Sequence, residues 1–110
     1  MIVSHEHGFI FVKTRKTAGT SIEVFLERLA GPDAIVTPVG PPVAGHEPRN
    51  YDVRYNHFRE LVRTRGRPSR MSARQRQMTF YNHMPALLIR ERLGARKWDS
   101  YFKFCFERDP

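Results

Sequence analysis

Apolar and polar positions recur with two different periods along this chain, and the switch between them marks its elements. The run "GFIFVK" (residues 8–13) is almost unbroken in its apolar character after a glycine, the pattern of a strand buried on both faces of a parallel sheet. From Thr20 the period lengthens. Ile22, Phe25, Leu26 and Leu29 fall at i, i+3, i+4 and i+7, one face of a helix that "AGP" (30–32) stops. Glu23, near the start of that helix, suits the positive end of its dipole. Residues 31–50 hold most of the prolines and several glycines and read as an extended loop, with room for one brief strand at Ala34 to Thr37.

Further on, "YNHFRELVRTRG" (55–66) accommodates a short helix, and the basic stretch 65–78 reads as loop followed by a fraying helix. "YNHMPALLIRERLG" (81–94) is a stronger helix: Pro85 fits the first turn, Leu87, Leu88 and Ile89 supply buried surface, and Gly94 fits the position just past the end. Trp98 leads into a second strand, Tyr101 to Phe106, whose alternation turns Phe102, Phe104 and Phe106 to one face. The order strand, helix, loop, helices, strand predicts an α/β fold with a parallel central sheet.

A length of 110 residues suits one domain. Charge narrows the partners: 19 Lys and Arg against 11 Asp and Glu leave a net charge of +8, which favours a nucleotide, nucleic acid, acidic polymer or membrane surface without choosing among them. The single cysteine, Cys105, excludes an internal disulfide framework and a cysteine-based zinc site. No apolar stretch reaches membrane-spanning length and the first residues do not resemble a signal peptide, so a soluble protein of a reducing, cytoplasmic compartment is expected. The last residues, "YFKFCFERDP", read as a strand entering a turn that stops at Pro110. Residues 1–110 are therefore expected to be the N-terminal part of one truncated domain.

The junction between the first strand and the first helix carries the chemistry. "KTRKTAGTS" (13–21) places Lys13, Arg15 and Lys16 among Thr17, Gly19, Thr20 and Ser21. The first amides of a helix lack intrahelical acceptors and its dipole adds positive potential there, so a small-residue bend after a strand is suited to an anion. The same hydroxyls also serve as helix caps with no ligand at all. The spacing is not that of a Walker A loop, because Lys16 precedes Gly19 instead of following it.

In its order, "KTAGTS" at the end of a strand resembles the 5′-phosphosulfate loop of sulfotransferases that use 3′-phosphoadenosine 5′-phosphosulfate (PAPS), in particular the carbohydrate branch that includes heparan sulfate 2-O-sulfotransferases and bacterial relatives. "FKFCFERDP" resembles that family's 3′-phosphate element, and "YNHMPALLIRERLG" with "WDSYFKF" is similar to its bacterial members, so the resemblance spans nearly the whole chain. It implies a P-loop-like sulfotransferase fold, PAPS as sulfuryl donor, no metal, and a hydroxyl acceptor of saccharide type. Arg15, Lys16, Thr17, Ala18, Gly19, Thr20 and Ser21 would cradle the 5′-phosphosulfate, with Lys16 against the bridging oxygen. Loss of Lys16 would then cost on the order of 3 kcal/mol of transition-state stabilisation. Arg108 would grip the 3′-phosphate; otherwise it forms a surface ion pair with Glu107 or Asp109. The family's serine beyond the Arg-Asp-Pro turn falls past Pro110.

An acceptor hydroxyl needs a base, and histidine titrates in the right range. Of His5, His7, His46, His57 and His83, His83 matches the position of the basic histidine in the related 2-O-sulfotransferases; a histidine before a helix also acts simply as a cap. His46, in "GHEPRN", is the second choice, against a plain solvent-exposed histidine among prolines. Arg59, Arg63, Arg65, Arg67, Arg70, Arg74 and Arg76 crowd one stretch with Glu60 as its acid. They suit an acidic saccharide, nucleic-acid phosphates or a merely solvated basic surface. A small basic nucleic-acid-binding module is the alternative function, although aromatics do not interleave with these arginines at stacking intervals.

Overall fold

A computed structural model of the chain describes residues 1–15, 18–52 and 79–109. Lys16, Thr17, His57, the expected elements between 55 and 78 with their seven arginines, and Pro110 lie outside the described residues.

Strand β1 (Ile2–Ser4) turns through residues 5–8 into β2 (Phe9–Phe11), which leads by way of residues 12–18 into helix α1 (Gly19–Glu27). Strand β3 (Ile35–Val36) follows. Helices α2 (Ala86–Leu93) and α3 (Ala95–Ser100) then precede β4 (Phe102–Phe104). The four strands form one sheet in the order β3-β1-β2-β4.

The expectation of an α/β fold holds, but the parallel sheet is corrected to a mixed one. β1 pairs antiparallel with both β2 and β3, and the parallel pairing among the described residues is β2 with β4, in the register Phe9↔Phe102, Ile10↔Lys103, Phe11↔Phe104. The cause is the tight connection from β1 to β2. Its backbone turns at Gly8 (φ 63°), a left-handed conformation that glycine adopts without steric cost. Ser4 holds that turn twice over, accepting from the His7 amide (3.2 Å) and donating to the Ala30 carbonyl (2.7 Å).

Helices cover both faces. On one, Met1, Val3, Ile10 and Ile35 meet Phe80, Tyr81, Met84 and Ile89, with Trp98 and Tyr101 half-buried beside them. On the other, Ile2, Phe11, Val36, Ala30 and Ala34 pack with Ile22 and Leu26 of α1 and with Phe9 and Phe104. As expected, β4 turns its phenylalanines to one side: Phe104 lies between Phe102 (ring centroids 5.7 Å apart) and Phe106 (6.0 Å), and also contacts Phe11.

The rotation of α1 about its axis departs from expectation. Phe25 and Leu29 of the apolar stripe are 65% and 54% exposed, while Glu23 is fully buried and Glu27 nearly so. Buried carboxylates need partners, and partners are supplied to both. The Met1 ammonium (2.8 Å) and the Lys13 ammonium (2.9 Å) reach Glu23, and the His46 ring reaches Glu27. Glu23 therefore acts as the centre of a buried ion cluster and not in the dipole role expected of it, and no acid stands in the first turn of α1.

The Pro-rich loop is tied to the far end of α1. Glu27 accepts from the Glu47 amide (3.2 Å), and the Arg49 guanidinium donates to the carbonyls of Glu27 (3.2 Å) and Gly31 (2.8 Å), satisfying acceptors that the helix end leaves open. No helix among the described residues is long and apolar enough to cross a membrane.

Candidate functional site

The parallel strands β2 and β4 release their chains at the same end of the sheet. The Val12 amide donates to the Phe104 carbonyl (2.9 Å) and the Thr14 hydroxyl to the Phe106 carbonyl (2.6 Å). The bend that follows β2 therefore lies beside the segment Cys105–Asp109 that follows β4. In open α/β sheets, ligands collect beyond the carboxyl ends of parallel strands.

Four parts meet around this end. The first is the start of α1. Ala18, at its N-cap, is left-handed (φ 56°, ψ 25°) and no described side chain caps the helix. The amides of Ser21 and Ile22 both turn back to the Ala18 carbonyl (3.1 and 3.3 Å), which leaves those of Gly19 and Thr20 ahead of the first intrahelical bonds. Left-handed backbone on a residue with a Cβ is unfavourable by about 1 kcal/mol, so the bend is held by its surroundings. The capping role open to the hydroxyls in the sequence is thus not taken up by the described ones.

The second part is Lys13, which turns inward. Its side chain is 3% exposed, with Nζ 2.9 Å from Glu23 Oε2 and donating to Thr20 Oγ1 at 3.1 Å. Gly19 allows this packing, because a Cβ there would stand 2.9 Å from Lys13 Cγ. The third is Arg15, exposed on the bend. The fourth is His83, left-handed at φ 59° just ahead of α2, whose Nδ1 lies 3.3 Å from the Lys13 carbonyl. A carbonyl only accepts, so Nδ1 carries the hydrogen and Nε2 of the neutral ring keeps its lone pair. Burial lowers the His83 pKa from 6.5; the bond to the Lys13 carbonyl opposes this, and the charges of Lys13 and Arg15 reinforce it. At neutral pH the ring is uncharged and able to accept a proton.

Of the residues singled out in the sequence, Arg15, Ala18, Gly19, Thr20, Ser21 and His83 come together here, while Lys16 and Thr17 fall outside the described residues. Arg108 is exposed on the segment that leaves β4 at this end. His46 is corrected on both counts, as it is neither a free base nor a solvent-exposed residue. Its side chain is 3% exposed, with Nε2 3.0 Å from the Thr37 carbonyl and Nδ1 against Glu27. The sequence did not disclose the Lys13–Glu23 pair or the His83–Lys13 contact. The signal that was available was a lysine and a glutamate ten residues apart across a strand-to-helix bend, too common to be distinctive.

A cavity of about 350 Å³ lined by His5, Asp33, Asn50, Arg92 and Lys97, among others, opens at the opposite end of the sheet. It takes no part in this site. Among the described residues no three His, Cys, Asp or Glu side chains gather in a way that could hold a metal ion.

No protein-family model matches the chain, and no solved structure matches it. It is similar to an uncharacterized protein of Archaeoglobus fulgidus, 56% identical over 27 residues, which are 24% of this chain and 22% of that protein.

Proposed function

We propose that this chain has the P-loop-like fold of PAPS-dependent sulfotransferases and carries the donor site of one that acts on a hydroxyl, with a saccharide as acceptor. The observation that carries this reading is the pairing of an uncapped helix start with a neutral histidine at the carboxyl end of β2. The donor set suits a 5′-phosphosulfate: it comprises the Gly19 and Thr20 amides, the Thr20 and Ser21 hydroxyls and the Arg15 guanidinium, all of which donate to acceptor-only oxygens. Lys16 and Thr17 join them by the resemblance, as Arg108 does for the 3′-phosphate.

When bound, the donor supplies a sulfuryl group attached to a phosphate leaving group. The residues of this chain do the rest. His83 Nε2 takes the proton of the attacking hydroxyl, its ring held in orientation by the Nδ1–H bond to the Lys13 carbonyl. The helix amides and Lys16 stabilise the negative charge that collects on the departing phosphate oxygen.

The test is thermal unfolding with 3′-phosphoadenosine 5′-phosphate. A ligand at a hundred times its dissociation constant stabilises the fold by about 2.7 kcal/mol, and Lys16→Ala or Arg108→Ala abolishes the shift. A midpoint unmoved by the nucleotide overturns the proposal.

A further inference from the structure

Lys13 is the cation of the bend to which the reading above gives no role. It is buried, and its ammonium touches two groups: Glu23 Oε2 at 2.9 Å and Thr20 Oγ1 at 3.1 Å. Glu23 is fixed independently of Lys13, since its other oxygen accepts from the Met1 ammonium at 2.8 Å and from the Thr37 hydroxyl at 3.3 Å. The stem of Lys13 fills the space beside Gly19 that a Cβ would need, so the ammonium has little freedom to leave Thr20.

An ammonium only donates. Thr20 Oγ1 therefore receives a hydrogen from Lys13, and its own hydrogen has to point elsewhere. We propose that Lys13, anchored by Glu23, is a positioning residue that commits the Thr20 hydroxyl to donating toward an anion at the start of α1. The inference rests on the donor site described above and adds a selection rule to it. With the Gly19 and Thr20 amides and the Thr20 hydroxyl all donating, this part of the site favours oxygens that bear no hydrogen, as in a sulfonate or a fully ionised phosphate. The amides cannot accept the hydrogen of a protonated oxygen, and Thr20 Oγ1, already accepting from Lys13, has only its second lone pair for one.

A double-mutant cycle read by calorimetric titration with 3′-phosphoadenosine 5′-phosphate tests this. Lys13→Met and Thr20→Val each weaken binding by about tenfold or more, as expected for losing one hydrogen bond to a charged ligand, and Thr20→Ser retains it. Lys13→Met adds no further loss in the Thr20→Val background, because Lys13 acts through Thr20. A purely structural Lys13 would instead give losses that multiply, and that result overturns the inference, as does wild-type affinity in Lys13→Met. Should Lys13→Met fail to fold, Lys13→Met/Glu23→Leu removes both charges together and carries the same expectation. Wild-type protein that does not bind the nucleotide overturns the donor site itself and this inference with it, whereas wild-type binding with an additive cycle overturns the inference alone.

Discussion

Glu23→Gln is the sharpest perturbation of this fold. The substitution keeps the shape of the side chain and removes its charge. The native carboxylate is fully buried, with the Lys13 ammonium at 2.9 Å and the Met1 amino group at 2.8 Å. Their attraction has to offset the cost of taking each ion out of water. Met1 can escape that cost: burial lowers its pKa from 8.0 to about 6 despite the pull of Glu23, so at pH 8 it stands as a neutral amine hydrogen-bonded to Thr37. The Lys13 ammonium, with its side chain 3% exposed, relies on Glu23 as its charge partner. Removing one partner of a buried pair costs roughly 3–5 kcal/mol, a fifth or more of the roughly 5–15 kcal/mol that holds an ordinary domain together.

Urea denaturation at pH 8, followed by the fluorescence of half-buried Trp98, measures the loss. A thermal scan should fall by about 12–20 °C, at about 4 °C per kcal/mol for a chain of this length. Lys13→Met/Glu23→Leu separates charge from packing. Replacing both ions by apolar groups of similar volume is commonly neutral or stabilising, so the double variant should be more stable than Glu23→Gln. A Glu23→Gln protein within about 1 kcal/mol of wild type would refute this reasoning, because a buried ammonium without its carboxylate cannot cost so little. A double variant less stable than the single would refute it as well.

Two further outcomes are expected. Stability should rise between pH 6 and pH 8: the Met1 amine titrates at about 6 when folded and near 8 when unfolded, so within that window the unfolded chain binds more protons, and the span is worth about 2.7 kcal/mol. His83 and His5, both lowered from 6.5 chiefly by burial, add to the loss as the pH falls below that value, and urea midpoints that stay flat from pH 6 to 8 would contradict the assignment. Gly19→Ala should destabilise the protein by about 1–3 kcal/mol through overpacking against Lys13, although alanine is the better helix former by about 1 kcal/mol; a rise in midpoint would show that Lys13 moves aside freely.

How much of this was legible in the sequence depended on whether a local pattern or a distant partner decided the outcome. The core of the first strand, the one-sided phenylalanines of β4, the brief β3 and helix α2 between Pro85 and Gly94 all follow from residues within one or two turns of each other. β1 escaped because three residues are too few to show a period, and with it went the antiparallel half of the sheet. α3 escaped because "ARKWDS" has no apolar repeat. The orientation of α1 could not be read locally, since hydrophobicity pointed to Ile22, Phe25, Leu26 and Leu29 while the partners that draw Glu23 and Glu27 inward come from residues 1, 13 and 46.

The two histidines weighed as bases make the same point at the level of the site. Apart from the resemblance that favoured His83, their local settings are alike: each lies two residues before a proline. Their fates diverge by what each ring nitrogen meets. Both nitrogens of His46 face acceptors, the Thr37 carbonyl and the Glu27 carboxylate, inside a buried clasp that ties the Pro-rich loop to α1. A ring held that way presents neither nitrogen to a substrate. Among the described residues His83 meets one acceptor, the Lys13 carbonyl seventy residues away in the chain, and that bond fixes the hydrogen on Nδ1 while burial, with Lys13 and Arg15, disfavours a second proton. The strand-to-helix bend thus presents the amides that open α1 and, through the Lys13 carbonyl, orients the His83 ring. In the proposed donor site both parts would rest on Lys13, a residue to which the resemblance gave no role.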